Sequence, residues 1–337
     1  VEQAEELKGV FMNYNNLPTS SRRVAVFYEH PEWFKPLFTE LDRRGVSYDR
    51  LLAYEHCFDP QQRHSPYALI INRMSPSAYL RGHERAIFYT LEYLAYLKEI
   101  GANVFNGYDA YLYEFSKARQ LRLLDRLGLP YPRARVINHP SQALVAAEAL
   151  AFPIIIKPNI GGSGAKITRF SSPDELHAAV EAEVIDLGID HTALVQEYLP
   201  AEGDSIVRVE ILNGEFLYAI RLTLNPDEFN LCPADYCQLP ASKPQANCIS
   251  SRGGLVEAVT PPAQVVADVK RIIAAAHIEV GGVEYLINAR DGQVYYYDIN
   301  ALSNFVANAP QVVGFDPWPL LVDHLLVRAG LVRAATA

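Results

Sequence analysis

The sequence predicts an α/β protein whose first part is built on a parallel sheet, and three observations carry that expectation. Short apolar runs at residues 23–28 (RVAVFY) and 68–72 (ALIIN) have the composition of buried strands. Residues 31–45 and 84–100 carry apolar side chains at helical spacing. The two kinds of segment alternate, which is the order of strand–helix–strand units with a parallel sheet. This first unit spans about residues 21–110, after an irregular polar N-terminal segment at 1–20.

The remaining elements follow in order. Residues 111–128 read as one helix carrying Lys117, with Leu121, Leu124 and Leu127 on its apolar side and Gly128 as its stop. Strands are expected at 131–137 and 153–157, then a glycine loop, a returning strand at 165–170 and a helix at 172–187, which together make a small lobe over 111–192. The last lobe, 193–330, opens with strands at 193–200, 205–212 and 215–224. A turn-rich insertion at about 225–256 follows and has the length of a functional loop, expected to close over a substrate. A helix at 262–277 then leads to strands at 282–288 and 293–300, hinged at Asp291 and Gly292.

Composition narrows the function. The chain has 337 residues, half of them hydrophobic, enough for two or three packed subdomains. Its net charge of −9 and the lack of a concentrated basic run argue against nucleic-acid and membrane-surface partners. No stretch reaches the roughly 18 apolar residues of a spanning helix, and the N-terminus lacks a signal-peptide core, so a cytoplasmic location is expected. Four cysteines, Cys57, Cys232, Cys237 and Cys248, fit free thiols in a reducing compartment better than half a metal site. The nine histidines are scattered, with no metal or catalytic pairing.

Two segments carry chemistry. In FPIIIKPNIGGSGAKITRF, residues 152–170, Lys157 stands at a strand end just before Gly161, Gly162 and Gly164, whose backbone N–H groups can approach an anion. The segment after the glycines alternates in the β manner, so neither the Walker loop nor the dinucleotide fingerprint fits, since both open a helix. An ordinary β-hairpin turn fits the same run, and only the rest of the chain decides between them. In the second segment Asp298 and Asn300 lie two apart on a strand and share a face, where Glu284 of the preceding strand can join them. Two acids and an amide suit Mg²⁺, which takes its other ligands from water and phosphates; polar residues at a solvent-facing hairpin end are the alternative.

Five ordered motifs over about residues 21–325 resemble the ATP-grasp superfamily, and within it the ribosomal-protein glutamate ligase and glutathione synthetase type of carboxylate–amine ligase. The resemblance implies an ATP-grasp fold, an N-terminal parallel-sheet domain followed by two α+β lobes clasping ATP. Ser116-Lys117 with the later Leu127-Gly128-Leu129-Pro130-Tyr131-Pro132 resembles the helix of a first phosphate-binding lysine, and 152–158 the strand of a second, Lys157. Gly161-Gly162-Ser163-Gly164 resembles the mobile loop that closes over the γ-phosphate. Val195-Gln196-Glu197-Tyr198-Leu199 is similar to the linker that recognises adenine. Arg208 and Arg221, thirteen positions apart, would neutralise phosphate or acyl-phosphate charge, and Glu284, Asp298 and Asn300 would hold the metal. The implied cofactors are ATP and Mg²⁺, as two ions, with Mn²⁺ able to serve.

The chain also departs from the family pattern. Asp298 replaces the usual Glu, and Ala301-Leu302-Ser303-Asn304-Phe305 replaces the usual Ser-Pro-Gly turn, which leaves substrate identity open and makes Ser303 and Asn304 substrate candidates. Ile206 stands where the glutamate ligases have Asp, with Asp204 the substitute for the ribose hydroxyls. Arg73, on the loop after a strand of the first unit, and Asp235, in the insertion, are further substrate candidates. The expected activity is ATP-dependent joining of a small-molecule or peptide carboxylate to an amine through an acyl phosphate. A phosphotransferase acting on a hydroxyl and an inactive nucleotide-binding module are the rival classes, and homo-oligomerisation is left open.

Overall fold

The computed structural model describes residues 23–162, 164–223, 248–249 and 255–332. Ser163, Asp235, Cys232, Cys237 and most of the 225–256 insertion lie outside the described residues.

The first sheet contains β1 (Val24–Tyr28), β2 (Tyr48–Leu52), β3 (Leu69–Arg73) and β4 (Val104–Phe105), all pairs parallel, in the order β2-β1-β3-β4. Side chains of β1 alternate between two apolar cores: Val24, Val26 and Tyr28 on one face, Ala25 and Phe27 on the other. The first face packs against α1 (Lys35–Arg43) through Leu37 and Leu41, the second against α2 (Glu84–Glu99) through Ile87 and Leu94. Cover on both faces is why β1 is buried at every position and reads as a continuous apolar run. Beyond β3 a 3₁₀ turn at Pro76–Arg81 is started by Ser75, whose hydroxyl accepts from the Ser77 N–H.

The single helix expected over 111–128 is two helices, α3 (Tyr108–Phe115) and α4 (Lys117–Arg126). Ser116 between them is extended, at φ −140° and ψ 112°, and its hydroxyl accepts from the Arg119 N–H as an N-cap. The break places Lys117 at the first position of a helix instead of inside one.

The second sheet is β5 (Ala134–Ile137), β6 (Ile154–Pro158), β7 (Thr168–Phe170) and β8 (Ala193–Glu197), antiparallel in the order β5-β8-β6-β7. It packs on α5 (Gln142–Ala147) and α6 (Pro173–Glu181) through Ala143, Leu176, Ile154 and Val195. The third sheet comprises β9 (Ser205–Leu212), β10 (Glu215–Thr223), β11 (Cys248–Ile249), β12 (Leu255–Ala258), β13 (Val280–Ile287) and β14 (Val294–Asn300), in the order β11-β12-β10-β9-β13-β14. The end of the insertion thus supplies the edge strand β11 and leads into β12, which pairs with β11 on one side and β10 on the other.

On one face of the third sheet Val207, Val209, Ile211 and Val283 pack on α7 (Ala263–Ala275) through Val269 and Ile272. On the other, Ile206, Tyr218, Ile220 and Leu222 share a core with the first sheet. That core is completed by Ala309 of α8 (Ala309–Val312) and by Leu321, Val322 and Leu325 of α9 (Pro317–Arg328). Among the described residues no helix is long and apolar enough to cross a membrane.

Candidate active site

The site is assembled on the inner face of the third sheet by strand register. Arg208 and Glu210 share that face by the two-residue period of β9. Register sets Glu284 against both Arg208 and Asp298, and Gly282 against both Glu210 and Asn300. A charged ladder therefore runs across three strands. Arg208 donates through Nε to Glu210 Oε1 at 2.6 Å and through Nη1 to Glu284 Oε1 at 3.3 Å. Gly282 makes room for this pairing: a Cβ there would lie 2.7 Å from Arg208 Nε and 2.9 Å from Glu210 Oε1.

Lys117 reaches the ladder from the start of α4, donating through Nζ to Asp298 Oδ1 at 2.5 Å. Gln120, one turn on, fixes α4 to β14: its amide donates to the Ile299 carbonyl at 2.8 Å and accepts from the Ile299 N–H at 3.1 Å. The Asn300 amide donates to Asp298 Oδ2 at 3.4 Å. From the second sheet Lys157 of β6 enters the same space, buried, its ammonium without an ion pair or hydrogen bond among the described residues.

Burial and mutual charge set the protonation of these groups. Burial and then the Lys117 ammonium pull Lys157 down to about 7. Burial and then the Asp298 charge push the Glu284 carboxyl up to about 7. Burial favours the neutral form of Asp298, yet the Lys117 ammonium holds its carboxyl below the usual range, and for Lys117 itself Asp298 outweighs burial and raises the ammonium. Arg208 is raised because Glu210 and Glu284 outweigh its desolvation.

These groups line a cavity of about 210 Å³ where the three sheets meet. Of the residues singled out in the sequence, Lys117, Lys157, Gly161, Gly162, Gly164, Gln196, Arg208, Glu284, Asp298, Asn300 and Asn304 line it. Several others are placed elsewhere. Arg221 stands opposite Val207 in the β9–β10 ladder, so it projects to the other face, where it pairs with Glu257 at 2.9 Å near solvent. Of the segment 196–199 only Gln196 lines the cavity: Glu197 accepts from the Ala151 N–H at 2.9 Å and from Arg133 at 3.4 Å, Tyr198 lies under the Arg169 guanidinium at 4.2 Å, and Leu199 is outside the lining. Asp204 sits exposed in a 3₁₀ turn at φ +47°. Arg73 and Ser303 are wholly buried behind the cavity wall and bonded to each other.

The sequence reading missed Glu114, Gln120, Trp33, Ser75 and Ser77, all of which line the cavity. Glu114 lies in the last turn of α3, and its Oε2 accepts from the N–H groups of Ala301 at 2.5 Å and Leu302 at 3.0 Å; burial pushes it up to about 7. Its one sequence signal is an acid three residues before the helix-starting lysine.

Among the described residues no three His, Cys, Asp or Glu side chains group as a self-sufficient metal cage. Glu284 and Asp298 directly opposite each other, with Asn300 beside them, nevertheless fit Mg²⁺, which needs few protein oxygens. A divalent cation would also relieve the repulsion that raises Glu284.

Residues 115–231 match the RimK-like ATP-grasp domain family. A D-alanine–D-alanine ligase of Haemophilus influenzae is 33% identical over 112 residues, 32% of this chain and 35% of the relative, so the chain spans about a third of that protein's length in the match. Among solved structures, the ATP-grasp ligase PsnB complexed with a phosphomimetic variant of a minimal precursor, Mg and ADP superposes at a TM-score of 0.64 with 19% identity, covering 90% of this chain and 98% of that one. D-cycloserine synthetase DcsG gives 0.65 at 16% identity, covering 91% and 99%. The chain therefore has the ATP-grasp fold over nine-tenths of its length, and its residues 115–231 are similar to the RimK-like ATP-grasp domain.

Proposed function

We propose that the protein joins a carboxylate to an amine at the expense of ATP, through an acyl phosphate, with release of ADP and phosphate. The observation that carries this reading is Lys157: a buried ammonium facing a cavity with no counter-ion among the described residues, beside a glycine loop and opposite two acids suited to Mg²⁺. An anion bearing its own metal, such as a nucleotide polyphosphate, completes both halves at once.

Each group then has a part to play. Lys117 and Lys157 approach the phosphates from two sheets, and the N–H groups around Gly161, Gly162 and Gly164 close over them. Arg208, locked between Glu210 and Glu284, presents a fixed positive charge where negative charge builds up in phosphoryl transfer. Glu284, Asp298 and Asn300 would hold Mg²⁺, which neutralises phosphate charge when bound. A carboxylate is a poor electrophile, so its oxygen first attacks the γ-phosphorus and ADP leaves; the amine nitrogen then attacks the acyl carbon and phosphate leaves. Neither step needs a covalent protein nucleophile, and among the described residues no histidine or cysteine lines the cavity.

The test is ADP release with a panel of acids, amines and hydroxyl compounds, with hydroxylamine added to capture acyl phosphates as hydroxamates. A ligase forms hydroxamate from ATP and one acid. ADP release that depends on a hydroxyl acceptor and gives no hydroxamate would identify a phosphotransferase instead, and no release with any pair would leave a binding module.

A further inference from the structure

Arg73 closes β3 at the carboxyl edge of the first, parallel sheet, the edge at which ligands enter such sheets. Its side chain is fully buried, yet its interactions are those of a cation awaiting a partner. Nη2 donates to the Ser303 carbonyl and, at a long 3.4 Å, to Asn304 Oδ1, and the guanidinium lies 5.2 Å from the Phe34 ring. Among the described residues Nε and Nη1 have no hydrogen-bond partner. Among the described residues no carboxylate forms an ion pair with it. The acids whose charge reaches it are engaged elsewhere, Glu114 with the N–H groups of Ala301 and Leu302 and Glu210 with Arg208. Burial draws the guanidinium down to about 10, the direction expected of a cation short of counter-charge.

A guanidinium offers its N–H groups as a fork that matches a carboxylate, and leaving that fork empty in the interior is costly. Asn304 touches both Arg73 and the cavity, and its contact with Arg73 is the weakest the guanidinium makes. Ser75, two residues beyond Arg73, lines the cavity from the first-sheet side. Arg73 is therefore one side chain away from the space in which the reaction is placed.

We propose that Arg73 and Asn304 form a subsite for a second carboxylate, one that a substrate carries besides the group being joined and that is bound without being activated. The subsite rests on the ligase reading and narrows it: the activated carboxylate belongs beside Lys157 and the acidic strands, while the spare one turns the Asn304 amide aside and takes the free N–H groups of Arg73. It makes Arg73 a specificity-determining residue that selects substrates with an unreacted acid group.

The test uses the protein saturated with AMP-PNP and Mg²⁺, so that the phosphate-binding cations are occupied, and follows the melting temperature against succinate and against its uncharged diamide at constant ionic strength. Succinate should half-saturate at a concentration at least about tenfold lower than succinamide. Arg73→Met should abolish that difference while keeping the AMP-PNP shift. Asn304→Asp places a carboxylate beside Arg73; it should melt higher than the wild type without ligand, stop responding to succinate, and lose its added stability when combined with Arg73→Met. Equal responses of the wild type to succinate and succinamide, or an Asn304→Asp protein no more stable than the wild type, would overturn the subsite and leave Arg73 a clamp on the Ser303 carbonyl. Absence of any AMP-PNP shift in the wild type would instead overturn the nucleotide reading beneath it.

Discussion

Under the proposed function, a single side chain, Lys157, joins stability to nucleotide binding. Its ammonium is depressed to about 7 in the folded protein, against an ordinary value of 10.5. Between those values the unfolded chain binds the extra proton, so the contribution of this group to stability rises with pH across that window and is lowest below 7. For nucleotide binding the sign is opposite, because phosphate needs the charged form. ATP affinity should fall above pH 7 by up to about tenfold per unit, and Lys157→Ala should flatten that dependence, as calorimetry across pH 6–9 would read. At pH 7 the same variant should weaken ATP binding by roughly 1.5–3 kcal/mol, the scale of a hydrogen bond to a charged group. Unchanged affinity would remove Lys157 from the site. Asp298→Asn keeps the strand and its backbone pairing but takes one charge from the proposed metal shell. It should stay folded by circular dichroism, lose the Mg²⁺ dependence of nucleotide binding and lose most turnover; full activity would exclude Asp298 from the metal shell. These two residues were legible because each stands beside a local signal, a glycine run or a two-residue alternation. Arg73 and Glu114 were harder to read, because what defines them is burial against a loop some two hundred residues away in the chain.

Secondary-structure elements decide which arginine can act. Arg208 and Arg221 look equivalent in the sequence, two cations on neighbouring strands, but faces follow register and not spacing. Ile220, not Arg221, stands opposite Arg208, so the two cations point to opposite sides of the sheet. Arg221→Ala removes an ion pair with nearly half of each side chain exposed; it should cost at most about 1 kcal/mol and leave ADP release unchanged. Arg208→Ala strands Glu210 and Glu284 in the interior without their cation and should cost about 3–5 kcal/mol in urea unfolding as well as abolishing turnover. Comparable stability losses in the two variants would refute this assignment of faces. Strand positions were legible from apolar runs bounded by turn residues, as with β9, whose span 205–212 is as expected. The break at Ser116 was not: Ser116 can sit inside a helix or cap one, and tertiary bonds from its hydroxyl and from the Lys117 N–H to Asn159 accompany the cap.

At the scale of the molecule, the cavity exists only because three sheets meet, and one glycine records how closely they do. Gly162 lies against Ser77 of the first sheet's 3₁₀ turn: a Cβ on Gly162 would come within 2.5 Å of the Ser77 Cβ and 3.0 Å of its Cα. Because the second neighbour is backbone, no side-chain rotation relieves the contact, and the loop would have to lift away from the first sheet. Such docking spans segments more than eighty residues apart and leaves no periodic trace in either, so the glycine run could suggest a phosphate loop but not the surface that seats it. If seating completes the nucleotide site, Gly162→Ala should raise the KM for ATP several-fold and slow turnover, with a melting temperature within about 2 °C of the wild type because the loop carries little of the core. Ser77→Gly in that background removes the closer of the two contacts while leaving the Cα, so it should restore KM in part. A Gly162→Ala protein with unchanged KM, or a double variant no better than the single one, would mean that the glycine loop works without support from the first sheet.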